Sequence, residues 1–189
     1  MISDKLIKQA KELVYSDAKK FGVPVLFHID LANKVGQELV DKLNADKKIV
    51  LLGTLLMDCM IGQAIDQGKL EEHTEMSAMK AEELLSEFSD ITKEEKENVI
   101  QCVKQHHGSD KFYSIESKIC CNADCYRFLT VKGIVGGMLG FSKKPMDDLI
   151  DLFSKKVDEK WSVLSLDICK KELESEYKLI KEFLSKFNK

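Results

Sequence analysis

Six ionisable side chains fall at positions that the helical periodicity of the sequence predicts to be buried, namely His28, Asp58, His73, His106, His107 and Asp124. The clearest case is Asp58, which stands at the centre of the apolar run "LLGTLLMDCMIG". A helix without a polar face belongs in the protein interior, where an unpaired carboxylate is costly. Asp124 repeats the pattern among Cys120, Cys121 and Phe128. Both aspartates therefore need a proton, a cationic partner or a metal ion.

The histidines supply the ligand types that such a metal ion would need. His28 lies in a stripe of apolar residues at helical spacing, and His73 begins a similar stripe. In "VIQCVKQHHG" the pair His106 and His107 follows Val103 by three and four residues, so at least one ring faces the core. Neutral imidazole and carboxylate groups are common ligands of Zn, Fe, Mn and Ni. The pattern thus indicates a shared metal site built from five predicted helices.

Each of these residues also has a purely structural explanation. A single core histidine is commonly hydrogen-bonded, and a buried aspartate can accept a hydroxyl from a neighbouring helix. The "HHG" sequence is also compatible with a charged C-terminal turn favoured by the helix dipole. Patterning alone therefore leaves the metal site and the structural explanation open.

The elements that would position these residues are all helices. Period-3.6 patterning runs through most of the chain, which has only two prolines. Ser3 and Gly22 are predicted caps of the first helix, and Thr92 with Glu95 predicts a capping box. The predicted helices span residues 3–20, 25–43, 47–65, 72–88, 92–107 and 114–129. No element is predicted for the glycine-containing segment "VKGIVGGMLGF", and one or two amphipathic helices follow "SKKPMDD". The predicted organisation is a helical domain over residues 1–140 and a C-terminal helical extension, 141–189, packed on it.

Composition excludes several classes of function. Charged residues make up 32% of the 189 residues, but the net charge is only -3, so we expect no nucleic-acid or anionic-membrane partner. The sequence has no signal-type N-terminus, and the apolar run around Asp58 is too short to span a bilayer, so a cytoplasmic location is expected. The six cysteines, without a CxxC pair, are expected to be reduced thiols. The absence of a GxxxxGK[ST] loop argues against a kinase or P-loop NTPase.

The order of these residues resembles the HD superfamily of metal-dependent phosphohydrolases. The matching segments are "LFHIDLANKVGQEL", "LLMDCMIG", "EEHTEMSAMKAEELL", "VIQCVKQHHG" and "ESKICCNADCYRFL", which cover residues 24 to 130. The resemblance implies an all-α fold, an HD-domain-like helical bundle with extra C-terminal helices. It also implies a metal-bound hydroxide that attacks a phosphorus centre. The expected substrate is a small phosphorylated molecule, a nucleotide or another phosphate ester.

When the family's ligand positions are transferred to this sequence residue by residue, the resemblance implies two metal positions that share Asp58. His28, Asp58 and Asp124 correspond to ligands of a first metal, and His73, His106 and His107 correspond to ligands of a second. The sequence departs from the family at Met57, which replaces the histidine of the His-Asp pair. A thioether is a weak ligand for Fe, Mn, Zn or Mg. We therefore expect one tightly bound divalent transition metal and a weak or absent second, and we expect Met57→His to raise the metal content.

The same departure leaves two interpretations of the function. In the first, the protein is a phosphohydrolase in which Asp58 or a histidine such as His107 orients the attacking water and accepts its proton. In the second, it is a catalytically degenerate HD-like binding or regulatory module. Arg127 is the only arginine and lies three residues after Asp124, where it could contact a substrate phosphate or form an ion pair between helices.

Overall fold

The computed structural model describes residues 2–187, and regular secondary structure in this range is entirely helical. The α-helices are α1 (Asp4–Phe21), α2 (Leu26–Leu43), α3 (Lys47–Leu56), α4 (Ile61–Asp66), α5 (His73–Ser86), α6 (Lys93–Lys104), α7 (Ile115–Leu129), α8 (Val131–Gly140), α9 (Met146–Val163) and α10 (Asp167–Ser185). A short 3-10 turn, Leu70–Glu72, precedes α5. The predicted all-α fold class is confirmed.

Local sequence signals fix several of the helix ends. The Ser3 hydroxyl accepts a hydrogen bond from the Leu6 amide at the start of α1, and Gly22 ends that helix with a φ of 75° that favours glycine. At α6, the Thr92 side chain and the Glu95 side chain each accept the other residue's backbone amide. The predicted caps of α1 and α6 are therefore confirmed.

Helix α7 is the centre of the fold. It packs against α2, α3 and α6 on the N-terminal side of the chain and against α8, α9 and α10 on the C-terminal side. Because neighbours surround it, even polar residues such as Asn122, Asp124 and Arg127 are buried. Any charge that α7 carries must consequently be balanced inside the protein.

The prediction of one continuous helix over residues 47–65 is wrong. Helix α3 ends at Leu56, residues 57–60 form a turn, and α4 starts at Ile61. The Ser77 hydroxyl on α5 accepts the Met60 amide at 3.1 Å, which satisfies one amide freed by the interruption. Asp58 therefore lies on a buried turn between two helices, where its side chain is not confined to one helix face.

The segment from Lys47 to Asp66 is, by length and composition, apolar enough to cross a membrane. In the described fold, 67% of the most apolar 18-residue window in this segment is buried inside the protein. The turn at Asp58 divides the segment into two helices. The segment is the interior of a helical domain.

The glycine-containing segment without a predicted element forms helix α8. Its glycines allow close packing, since a Cβ at Gly136 would lie 2.2 Å from the Phe27 ring, and one at Gly137 would lie 2.6 Å from Phe153 and 2.8 Å from His28. The helix is possible because the contacts with α2 and α9 offset the low helical propensity of glycine. The low helical propensity of glycine is therefore a poor guide to this segment, because tertiary packing determines its structure.

The C-terminal residues form two helices that pack on α7 and on each other. Trp161 of α9 stacks on Tyr177 of α10 with ring centroids 4.2 Å apart. The inward stripe of α9 contains Ile150, Phe153 and Val157, and Lys160 continues it. The predicted division at residue 140 falls at the end of α8 and stays a prediction.

Candidate metal centre

Four predicted ligands converge in one place. The ligand atoms of Asp58, His73, His106 and His107 all lie within 4.8 Å of one another. The Asp58 and His106 side chains are 6% and 0% exposed, whereas those of His73 and His107 are 13% and 30% exposed. The group is therefore buried on one side and open to solvent on the other.

The ends of two helices bring the histidines to this group. His73 is the first residue of α5, and α6 ends at Lys104 before the histidine pair, not at His107 as predicted. Because His106 and His107 lie in the turn beyond α6, both rings reach the group, although helical spacing required only one of them to face inwards. The broken helix at Asp58 completes the arrangement.

Hydrogen bonds to backbone carbonyls place a proton on Nδ1 of two rings. The Nδ1 atoms of His73 and His106 each lie 2.6 Å from a carbonyl oxygen, that of Leu70 and that of Val103. Because a carbonyl can only accept, each Nδ1 carries the proton and donates it. In the neutral rings Nε2 then bears a lone pair, and outer hydrogen bonds of this kind orient metal-binding histidines.

These lone pairs point at another acceptor. Oδ1 of Asp58 lies 3.4 Å from Nε2 of His106 and 3.6 Å from Nε2 of His73. Neither Oδ1 of Asp58 nor Nε2 of His106 has a hydrogen-bond partner, and both are buried. Buried acceptors without a donor are costly, and a divalent cation among them would satisfy all of them at once. The residues present therefore fit a metal ion.

His107 completes the group and connects it to helix α9. Its Nε2 lies 3.0 Å from Nε2 of His73, and its Nδ1 lies 2.7 Å from Nζ of Lys160 and 3.4 Å from Oε1 of Glu159. Burial, with a smaller contribution from the Lys160 ammonium, lowers the pKa of His107 to about 4. The ring is consequently neutral near pH 7. Because the Lys160 ammonium can only donate, Nδ1 of His107 accepts, and the proton of the neutral ring lies on Nε2, which donates to Nε2 of His73. A metal ion bound at this Nε2 would displace that proton.

Arg127 and Lys160 bind the two buried aspartates. Arg127 donates to Oδ2 of Asp58 at 2.7 Å and also contacts Asp124, while Nζ of Lys160 lies 2.7 Å from Oδ2 of Asp124. Burial by itself would raise the pKa of both carboxyls. For Asp58 the Arg127 guanidinium outweighs this effect, and for Asp124 the cations Arg127 and Lys160 outweigh it, so the pKa values of both carboxyls lie below their usual range. Both aspartates are therefore ionised.

His28 and Asp124 lie outside the group of four. The ring of His28 is buried against Phe128, and its Nε2 donates to the Gly133 carbonyl at 2.8 Å. Burial, followed by repulsion from Arg127, lowers the pKa of His28 to about 4. The six predicted ligands thus divide into one convergent set of four and two residues with partners of their own.

Two features of the site differ from what sequence reasoning emphasised. Arg127 is enclosed between Asp58 and Asp124, so the geometry favours an ion pair between helices over contact with a substrate phosphate. Lys160 and Glu159 were missed altogether. The available signal was the position of Lys160 in the apolar stripe of α9, where a lysine is unusual.

One member of the group, His107, also lines a surface cleft. The cleft has a volume of about 680 Å³, and its lining includes His107, Phe112, Ser162, Ser165 and Lys170. Small-molecule sites commonly occupy about 300–1,000 Å³. A small ligand could therefore reach the edge of the His107 ring from this side.

Three solved structures of bacterial proteins resemble the fold. A predicted HD superfamily hydrolase from an uncultured Thermotogales bacterium has a TM-score of 0.69 and 18% sequence identity, with 95% of this chain and 90% of that chain covered. YpgQ from Bacillus subtilis has a TM-score of 0.64 and 18% identity, with 97% and 94% covered. A protein from Lactobacillus plantarum has a TM-score of 0.64 and 14% identity, with 100% and 97% covered.

These likenesses establish the fold. No protein-family model matches the sequence, and no curated protein sequence matches it significantly. The chain nevertheless has the HD-domain fold over nearly its whole length, which confirms the resemblance seen in the sequence motifs. Within that fold it carries a His/Asp cluster suited to a divalent metal.

Proposed function

We propose that the protein is a metal-dependent phosphohydrolase that acts on a nucleotide or another small phosphate ester. The observation that carries the proposal is the convergence of four potential ligand residues, among which Oδ1 of Asp58 faces Nε2 of His106 at 3.4 Å and neither of these two atoms has a hydrogen-bond partner. The HD-domain fold supports the reaction class, since one similar structure is that of a predicted HD superfamily hydrolase.

The proposed ligands are Oδ1 of Asp58 and the Nε2 atoms of His73, His106 and His107. A divalent ion such as Fe, Mn, Zn or Ni bound there would lower the pKa of a water molecule and offset charge on a phosphoryl oxygen. The chain's own residues then orient the reactants. We assign Asp58 to hold and orient the attacking water beside the ion, because its carboxylate is anionic and buried in the group.

His107 has a second role in the proposed site. It has the most exposed side chain of the four, at 30%, and it lines the cleft, so it is the ring that a bound phosphate ester would meet first. An ion bound at Nε2 of His107 would displace the proton there, and Oε1 of Glu159, 3.4 Å from Nδ1, would accept a proton moved to that atom. Hydrogen bonding to His107, together with Lys156 and Lys160, keeps the pKa of Glu159 below its usual range, so this carboxylate remains anionic.

The proposed partner is a small phosphorylated molecule bound in the cleft beside His107. Lys170 is the only cation among the cleft-lining residues of the described chain, where Asp110 supplies a negative charge. A nucleic-acid or membrane partner is not expected from the near-neutral net charge of -3. The cytoplasmic location stays a prediction.

Elemental analysis of the protein, purified without a histidine tag, is the first test. We expect about one transition-metal ion per chain, followed by hydrolysis of at least one member of a phosphate-ester panel with Mn²⁺ or Fe²⁺. Asp58→Asn should abolish both, whereas Asp66→Asn, at an exposed position on α4, should change neither. Purified protein that contains no metal and takes up none on reconstitution would refute the proposal.

A binding or regulatory module is the second candidate, and one observation favours it. Met57 and the Arg127 ion pairs occupy the region where the sequence resemblance implies a first metal ion. Metal uptake and phosphate-ester binding without turnover of any ester in the panel would select this alternative.

A further inference from the structure

Arg127 lies between the two carboxylates that the sequence resemblance assigns to a first metal ion. Its guanidinium donates to Oδ2 of Asp58 at 2.7 Å and contacts Oδ1 of Asp124. Oδ1 of Asp58 points the other way, towards His106 and His73. Asp58 thus bridges a cationic side chain on one side and the group of histidines on the other.

The remaining ligand positions of that first site are also closed. Nε2 of His28 donates to the Gly133 carbonyl at 2.8 Å, so this nitrogen already has a hydrogen-bond partner within the protein. Met57, in place of the family histidine, is 1% exposed and packed in the core. The residues present at the first position therefore do not fit a metal ion.

Charge balance leads to the same conclusion. The carboxylates Asp58, Asp124 and Glu159 face the cations Arg127, Lys160 and Lys156 through contacts of 3.2 Å or less. Apart from the histidines, the region therefore carries no net charge. One divalent ion gives it two positive charges, which suits a phosphate ligand, whereas a second would leave four positive charges in a largely buried site.

We propose that the Arg127 guanidinium permanently takes the place of the first metal ion, with Lys160 balancing the second charge, so that the chain binds a single divalent ion on the histidine side. The inference rests on the proposed function, because it presupposes an ion at Asp58, His73, His106 and His107. It assigns Arg127 a positioning role, since the guanidinium holds Asp58 with Oδ1 towards that ion.

The inference reverses the expectation that Met57→His raises the metal content. With Arg127 in place, the added imidazole meets a position that is already filled. The test is a calorimetric titration of the untagged full-length protein with Mn²⁺, with elemental analysis of the dialysed samples. We expect one ion per chain for the wild type and for Met57→His, and two for Met57→His combined with Arg127→Ala. The matched control, Met57→His combined with Arg127→Lys, keeps the charge and should bind one.

The possible stoichiometries separate the two proposals. If the wild type binds no ion, both the proposed function and this inference are refuted. Two ions in the wild type or in Met57→His would overturn the inference alone, as would one ion in Met57→His/Arg127→Ala. Thermal unfolding provides a readout independent of activity, because Mn²⁺ should raise the midpoint of Met57→His/Arg127→Ala more than that of the wild type. If this double variant does not fold, the titrations of the wild type and Met57→His still test the inference, because two ions in either protein would overturn it.

Discussion

Replacing Lys160 with methionine should lower the free energy of unfolding by about 3–5 kcal/mol, the usual cost of removing one partner from a buried ion pair. Nζ of Lys160 lies 2.7 Å from Oδ2 of Asp124, 2.7 Å from Nδ1 of His107 and 3.2 Å from Oε1 of Glu159. The side chain is 1% exposed, so water does not screen these contacts. Methionine retains most of the stem volume, and the loss is therefore mainly electrostatic.

Equilibrium unfolding in urea at pH 7 measures this loss. A domain of this size typically has about 5–15 kcal/mol of stability, so the variant should remain folded at low urea. Lys156→Met is the matched control on the same helix, since Nζ of Lys156 lies 2.7 Å from Glu159 but its side chain is 32% exposed. Such a surface pair contributes no more than about 1 kcal/mol. Equal losses for the two variants would refute the claim that Lys160 balances the buried Asp124.

Three further changes test other parts of the site. His106→Gln removes a proposed buried ligand and should weaken Mn²⁺ binding at least tenfold in calorimetry. An unchanged affinity would show that the ion does not bind at His106. His28→Gln retains a donor for Gly133 but cannot titrate. Because burial lowers the pKa of His28 from 6.5 to about 4, the folded state loses stability as the pH falls between these values. Only the wild type should lose this free energy of unfolding. The difference in unfolding free energy between the wild type and His28→Gln, measured in urea, should therefore become smaller by about 2 kcal/mol from pH 7 to pH 5. An unchanged difference would contradict a neutral buried ring. Ser77→Ala leaves the Met60 amide unpaired at the turn that carries Asp58 and should cost about 1–3 kcal/mol, whereas Ser86→Ala, exposed at the end of the same helix, should cost less than about 0.5 kcal/mol. Equal costs in thermal unfolding would show that this hydrogen bond does not hold the turn.

Sequence reasoning succeeded where short-range rules decide. The caps at Ser3 and Thr92 follow from side-chain hydrogen bonds to amides three residues away, and periodicity alone predicts which helix faces are buried. The resemblance in motif order predicted the HD-domain fold, which the structural comparison confirms. It also named the four side chains that converge, although their metal binding stays a prediction.

The unpredicted features depend on contacts between distant parts of the chain. The break after Leu56 is accompanied by a hydrogen bond from the Met60 amide to Ser77. No local pattern in the apolar run predicts this break. Helix α8 forms despite its glycines because α2 and α9 approach it closely. Lys160 reaches Asp124 only once α9 packs on α7, so its role was invisible in the linear sequence.

The ion pairs of Arg127 have a consequence for how the protein matures. Asp58 and Asp124 are neutralised by side chains of the same polypeptide, so the chain can complete its interior before it encounters any metal. Under the proposed function, metal loading would be a separate, later event at a preformed and partly open site. An ion held in this way would exchange with the surrounding pool while the fold stays intact, so metal supply would set the fraction of active molecules and leave their number unchanged.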